Sequence, residues 1–441
     1  MRRYLAQYLS FDQGVVSQSS MASESTLRFG AHTDEVTSFL RIVNMIRLGE
    51  AATRPEIGRV TGLGRGVVSQ RVDQAIELGY LEDSELGPSS GGRAPRRLRF
   101  CSERGLIVVC ALGALHINVG LAHLDGDILA QANRPWDIAT GPAATLDTAM
   151  TMIDALLEEQ GGTPVWGIAV GLPGPVDFDS GRPVAPPIMP GWNGFDVRRR
   201  FEQVYDAPVW VDNDVNLLAF SERARRRNEH PDLIYCKVGS GIGAGLLSHG
   251  RVHRGANGAA GDIGHVRVHD SVAQCRCGKV GCLEAEAGGW ALVRDAALAI
   301  EEGAQGTLAT LLAAGESITP DSIARSAEDG DALAISLIQR SARTVGESIA
   351  ALVNMFNPGV IVVGGSIAAA GEVFLAEVRQ RVYELSLPLA TRDLAILQSH
   401  NDVREPLRGG ADMVREQLFD VTFPRWFADG HPSIEAVRHA G

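Results

Sequence analysis

Four side chains that bind soft metal ions fall close together: His265, Cys275, Cys277 and Cys282, in the spacing H-x9-C-x-C-x4-C. Three thiolates and one imidazole close a tetrahedral shell and leave no position for water. The pattern therefore predicts a structural zinc ion rather than a hydrolytic one. Gly278 and Gly281 permit the tight turns that wrap three sulfurs around one ion. The competing reading, core cysteines beside an unrelated histidine, must accept four ligands this close by coincidence. Cys101, Cys110 and Cys236 are scattered and read as buried thiols. Six cysteines in a chain this long do not make a disulfide framework, and the expected location is the cytoplasm, where thiols stay reduced.

Acids and an amide stand around the cluster. Asp212-Asn213-Asp214 follows the apolar run Val209–Val211, at the C-terminal end of a strand, where open α/β sheets bind ligands. Asp262 lies three residues before His265, and Glu284 two after Cys282. The metal loop can thus hold Asp262, His265 and Glu284 together. Carboxylates and an amide facing a pocket suit a neutral polyhydroxyl ligand, because each carboxylate accepts hydrogen bonds from hydroxyls. Any one of these acids alone reads equally well as a helix cap or surface charge; the grouping favours binding. Two glycine turns, Gly239-Ser240-Gly241-Ile242-Gly243 and Gly364-Gly365-Ser366, each follow a strand and could meet a nucleotide, though such turns are often only tight turns.

A different chemistry is written nearer the N-terminus. Phe39, Leu40, Val43, Ile46 and Leu48 give the stretch from Ser38 to Leu48 one buried helical face. Thr53 can cap a second helix from Arg54 to Val60, with Pro55 in its first turn and Glu56 closing a capping box. Thr61-Gly62-Leu63 forms a turn, and a third helix follows from about Arg65 to Leu78. Val68, Val72 and Ile76 face its core, while Arg65, Ser69 and Gln70 point outward. This is a helix-turn-helix, whose second helix enters the major groove of DNA. Residues 79–82 and 98–100 read as strands around a Gly/Ser/Pro loop, a wing that carries Arg93, Arg96 and Arg97 toward phosphates or the minor groove. The bland alternative is a packing or dimerisation module with solvated arginines.

These groups need scaffolds, and the chain is long enough for several. It has 441 residues, 45% hydrophobic and 21% charged, which is ample for full cores and excludes a disordered chain. A formal net charge of −12 excludes a wholesale basic coat. The charge is unevenly spread, however. Residues 34–100 hold ten arginines against nine acids, net +1; residues 1–33 are also +1, which leaves −14 on 101–441. A small basic module on an acidic body suits a regulator that touches DNA at one end. From about 104, β runs (LIVVCAL, INVGLAHL, VWGIAVGL, VWVDND, LIYCKVGS, GVIVVGGS) alternate with helical stretches, 283–301, 331–357 and 371–385 among them. That alternation predicts an α/β domain with a partly parallel sheet. The expected organisation is a flexible tail (1–33), a winged helix-turn-helix (34–100), a ligand-binding domain (101–420) with its zinc loop at 265–282, and an extension (421–441) that the pattern does not place. No apolar run approaches the ~18 residues of a membrane span. Lysine occurs only at Lys237 and Lys279, beside 39 arginines, and reads as base composition.

Taken together, the sequence resembles the ROK family (repressor, open reading frame, kinase). The most specific piece is GANGAAGDIGHVRVHDSVAQCRCGKVGCLE at 255–284, supported by GLPGPVD (171–177), PGWNGFD (190–196), VDNDVN (211–216) and GSGIGAG (239–245). The resemblance implies a two-lobed, actin-like (ribonuclease H-like) fold with sugar held between the lobes by Asn213, Asp214, Asp262, His265 and Glu284. In kinase members the position of Asp214 is the catalytic base. Those members carry D-x-G-x-T on their first strand, whereas this chain reads Ala111-Leu112-Gly113-Ala114-Leu115, without the acid and the hydroxyl. Phosphoryl transfer depends on positioned Mg²⁺ and neutralised phosphate charge, so these changes predict a site that binds sugar without phosphorylating it. Asp262 stands where the family usually has glutamate, which alters reach to the sugar. The expectation is a sugar-responsive regulator with no catalytic residues, a repressor that binds a double-stranded DNA operator as a homodimer or homotetramer. The rival readings are an ATP-dependent sugar kinase with an appended DNA module and a regulator governed by a protein partner.

Overall fold

The computed structural model describes residues 29–86, 96–226 and 229–438. Helices Phe29–Arg47, Arg54–Thr61 and Arg65–Glu77 precede a hairpin in which Leu81–Leu86 pairs with Arg96–Phe100. The first helix begins ahead of the Ser38 suggested by its apolar period, within residues expected to be tail. Thr53 Oγ1 accepts from Glu56 N at 3.4 Å, while the Glu56 carboxylate reaches past the cap to Ala52 N at 2.8 Å. The capping box therefore closes one residue earlier than expected. Gly62 takes the left-handed φ of 72° that ends the second helix, and its N–H bonds Gly58 O. Val68 and Val72 are buried and Ile76 half-buried, as their spacing requires.

Two five-stranded sheets follow, one per lobe. The first has the spatial order Ile128–Pro135, His116–His123, Leu106–Leu112, Val165–Leu172, Val209–Asn213; the first three are antiparallel, and the last two join in parallel. The second, Arg251–Val252, Ile242–Ser248, Leu233–Val238, Val360–Gly364, Ala395–Gln398, repeats that order and pattern. The lobes are thus two copies of one ribonuclease H-like topology, although the chain shows no short-period repeat. Strands Leu106–Leu112 and Val360–Gly364 are buried at every residue, which explains their unbroken apolar runs. Helices Pro142–Glu158 and Val197–Tyr205 cover the outer face of the first sheet; Ala332–Phe356 and Glu372–Leu385 cover that of the second. The stretch expected as one helix over 283–301 is two, Leu283–Ala287 and Gly289–Glu301. A Cβ on Gly288, at the break, would stand only 2.6 Å from Glu284 O.

In each lobe the fifth strand leads to a helix that runs between the sheets, Asp214–Arg225 from the first and Glu405–Arg415 from the second. The two pack tightly, since a Cβ on Gly409 would overlap the Leu217 carbonyl, and the second helix also lies close on the first sheet, where a Cβ on Gly410 would overlap Val109. The second helix runs on into the unplaced C-terminal segment. Glu416–Thr422 is wound as a π-helix, followed by Phe423–Trp426 and Ile434–Arg438. Phe423 and Trp426 are fully buried. The Phe423 ring lies 5.3 Å from Tyr80, Trp426 lies 5.6 Å from Trp166, and Phe427 lies 5.1 Å from Phe39. Tyr80 O–H donates to Phe427 O at 2.8 Å, and Arg47 pairs with Asp420 at 2.9 Å. The last turns therefore cement the helix-turn-helix to the first lobe, and one core runs from Phe39 to the connecting helices.

Candidate functional site

The cleft between the lobes is a cavity of about 660 Å³, and Asn213, Asp214, Asp262, His265 and Glu284 all line it. Asn213 ends its strand and caps the helix Asp214–Arg225: its Oδ1 accepts from Val215 N at 2.9 Å and its Nδ2 donates to Gly174 O at 2.8 Å. Asp214 therefore opens that helix at the cleft. Its Oδ2 pairs with Lys237 Nζ at 2.5 Å. Glu284 is buried, accepting from Ile242 N at 3.1 Å and from Trp290 Nε1 at 3.3 Å. Gly241 must lack a side chain, because a Cβ there would stand 2.5 Å from Glu284 Oε2. Asp262 is exposed, and its carboxylate bonds no other described residue. Asp212, in the same motif, is structural: its buried carboxylate takes Asn216 Nδ2 at 2.7 Å and Arg254 Nε at 2.9 Å. Arg254 comes from the second lobe's loop, so this pair fastens that loop to the first lobe's sheet. Its guanidinium also lies 3.8 Å over the Phe178 ring.

The ligand atoms of His265, Cys275, Cys277 and Cys282 all lie within 4.8 Å of one another. Cys275 Sγ is 3.7 Å from His265 Nδ1, and Cys277 Sγ is 3.6 Å from Cys282 Sγ. A tetrahedron with metal–sulfur bonds of ~2.3 Å has edges of about 3.8 Å, close to these two spacings, so the four side chains could hold a metal ion. Gly278 and Gly281 hold φ of 86° and 81°, as the turns demand. The imidazole sits at the boundary of cluster and cleft: Nδ1 faces the thiols, and the ring lines the cavity. One side chain thereby joins metal loop and ligand pocket.

The stretch Ala111–Leu115 reaches the same cavity, with Ala114, Leu115 and His116 in its wall. The His116 ring lies on Gly113, where any Cβ would overlap it. Surrounding protein atoms, then the Lys237 ammonium, hold that imidazole below its ordinary value, against a smaller upward pull from Asp214. Both glycine turns, at Gly239 and Gly365, do reach the cleft. Sequence reasoning missed three cleft residues, His116, Lys237 and Arg276. The scarcity of lysine was the available signal for Lys237.

In the helix-turn-helix, Arg65, Ser69 and Gln70 are exposed on the third helix, and no described residue bonds their side chains. Arg97 is exposed and likewise free, and Arg96 makes a long 3.5 Å pair with Asp83. Arg93 lies outside the described residues. Among the described residues no helix is long and apolar enough to cross a membrane.

Fold and cleft define a two-lobed, ribonuclease H-like ligand-binding protein with a helix-turn-helix at its front. The chain belongs to the ROK family, whose model matches residues 108–417. It is 28% identical over 390 residues to the xylose repressor of Caldicellulosiruptor bescii, spanning 88% of this chain and 97% of that protein. A glucokinase of Halalkalibacterium halodurans is also 28% identical, but over 69% of this chain and 94% of its own length. Among solved structures, a ROK family transcriptional regulator, homologous to the E. coli MLC protein, superposes with a TM-score of 0.76 at 24% identity, covering 88% of this chain and 98% of that one. The kinase match, over 312 residues, is 78 residues shorter than the repressor match, somewhat more than the length of the helix-turn-helix.

Proposed function

We propose that this protein is a sugar-responsive, DNA-binding transcriptional regulator, a repressor that leaves its operator when a sugar enters the cleft. The observation that carries the reading is the cleft's asymmetry. The sugar-side groups, Asp214, Asp262, His265 and Glu284, share one cavity, while Ala111, Leu115 and the His116 ring stand where a kinase organises phosphate and metal. The sugar donates hydroxyls to Asp262 and to the free lone pairs of Asp214 and Glu284. His265, Cys275, Cys277 and Cys282 hold a structural zinc that fixes the loop between Asp262 and Glu284. Arg65, Ser69 and Gln70 read bases, and Arg93, Arg96 and Arg97 of the wing hold the backbone. A homodimer or homotetramer in the cytoplasm meets a roughly palindromic operator. The organisation into tail, winged helix (34–100), sugar-binding domain (101–420) and C-terminal extension belongs to the same proposal.

The packing supports a route for the response. Asp214 begins a helix that packs on Glu405–Arg415, and the latter runs into the aromatic seam under the helix-turn-helix. Closure of the lobes on a sugar moves that pair of helices and so re-aims the recognition helix. The sugar shifts DNA affinity only through its preference for the closed state. The kinase reading draws on the glucokinase relatives, and sugar-dependent ATP consumption by the pure protein would restore it. A thermal-shift screen of sugars tests the proposal, because a ligand of the native state raises the melting temperature. Failure of every sugar to do so overturns it.

A further inference from the structure

We propose that Lys237 makes the cleft select a ligand with an anionic group, phosphate or carboxylate, on its polyhydroxyl ring. This rests on reading the cleft as the effector site. Lys237 Nζ stands 2.5 Å from Asp214 Oδ2 with the side chain 28% exposed. An ammonium has three donors, and Asp214 takes one. No other described residue bonds the remaining two, and the residue lines the cavity. A half-buried cation with unspent donors gains most from a charged acceptor, whose hydrogen bonds are roughly twice as strong as neutral ones. The Ser240 and Ser366 hydroxyls line the same cavity and bond no described side chain or backbone group. Across the cleft, Arg276 lies 4.7 Å over the Trp290 ring, with no carboxylate partner among the described residues. The altered loop at Ala111–Leu115 removes the polyphosphate of ATP as the reason for this charge. The choice of lysine is itself informative, because arginine serves 39 of the chain's 41 basic positions. A planar guanidinium needs more room than an ammonium. The cross-strand neighbours of Lys237, Gly243 and Gly364, carry no side chains of their own. A cavity of about 660 Å³ also leaves space for a substituent beside one ring.

Calorimetry on the full-length protein decides this with ligands that share a ring: glucose, glucose 6-phosphate and glucuronate; mannose and mannose 6-phosphate; galactose and galacturonate; with inorganic phosphate alone. The expected result is that a charged member binds about 10-fold or more tightly than its neutral partner, as a charge-assisted bond predicts. Lys237→Met should collapse that ratio, and Lys237→Arg should keep part of it. Comparing phosphate with carboxylate members identifies which anion is meant. Equal affinity within every pair, or a ratio that survives in Lys237→Met, overturns the inference and leaves the cleft as a neutral-sugar site. Phosphate alone binding as tightly as a phosphorylated sugar also overturns it. If no sugar of either kind binds, the effector-site reading falls, and this inference with it. Should the variants fail to fold, the wild-type pairs decide.

Discussion

Each acid in this cleft already has a structural partner or a clear vacancy, and that distinction sets its expected role. Asp212 is consumed by Asn216 and Arg254, so it positions; Asp262 is open, so it is the acid expected to bind. Sequence marked residues that line one cavity but could not sort them, because sorting depends on contacts made by Arg254 and Lys237 from the other lobe. The His/Cys cluster was legible, since its spacing alone places four candidate donors close together. We predict one zinc per chain by metal analysis, lost in Cys277→Ser. Sugar affinity should fall with it, because Leu283 and Glu284 directly follow the ligand Cys282. Metal-free protein that still binds sugar would show that the loop stands without its ion. Replacing Asp262 by Ala should cost sugar affinity without changing the melting temperature of the ligand-free protein, as expected of an exposed carboxylate with no partner.

Among the elements, strands with unbroken apolar runs were easy to read, the edge strand Val209–Asn213 included, whereas the inner strand Ile242–Ser248 read only as a glycine turn. Ile128–Pro135 alternates exposed and half-buried residues, and Ala395–Gln398 is four residues long, so neither shows an apolar run. Helix Asp214–Arg225 was missed because it is packed between two sheets and lacks a single apolar stripe. The helix-turn-helix was legible from its caps and its period. There, Gln70→Ala should relax specificity at one operator position, whereas Arg96→Ala with Arg97→Ala should weaken binding to all sequences and lower its salt dependence. Gel shifts on operator and random DNA check both outcomes. Unchanged affinity in the double variant would remove the wing from the interface.

Across the whole molecule, the unplaced final residues pack between the helix-turn-helix and the first lobe. Their aromatic residues, Phe419, Phe423, Trp426 and Phe427, look like a loose hydrophobic tail until Phe39, Tyr80 and Trp166 come to meet them from distant parts of the chain. The duplicated lobe topology was equally hidden, because topology is set by pairing order and not by sequence period. Trp426→Ala empties a fully buried site and should destabilise by roughly 3–5 kcal/mol. Beyond that loss, it should loosen the response of DNA to sugar while the lobes still bind sugar; calorimetry beside gel shifts separates the two effects.

The central claim is that ligand at Asp214 controls DNA binding at the far end of this packed path. Its most direct test is operator affinity of the full-length protein, measured with and without the sugar that raises its melting temperature, in wild type and in Asp214→Ala. Losing one charge-assisted bond costs roughly 1.5–3 kcal/mol, or about 10–150-fold in affinity. Sugar should release wild type from the operator, and the variant should bind the operator normally but need that much more sugar to leave it. A variant released at wild-type sugar concentrations, or a wild type whose operator binding ignores the sugar, would contradict the account.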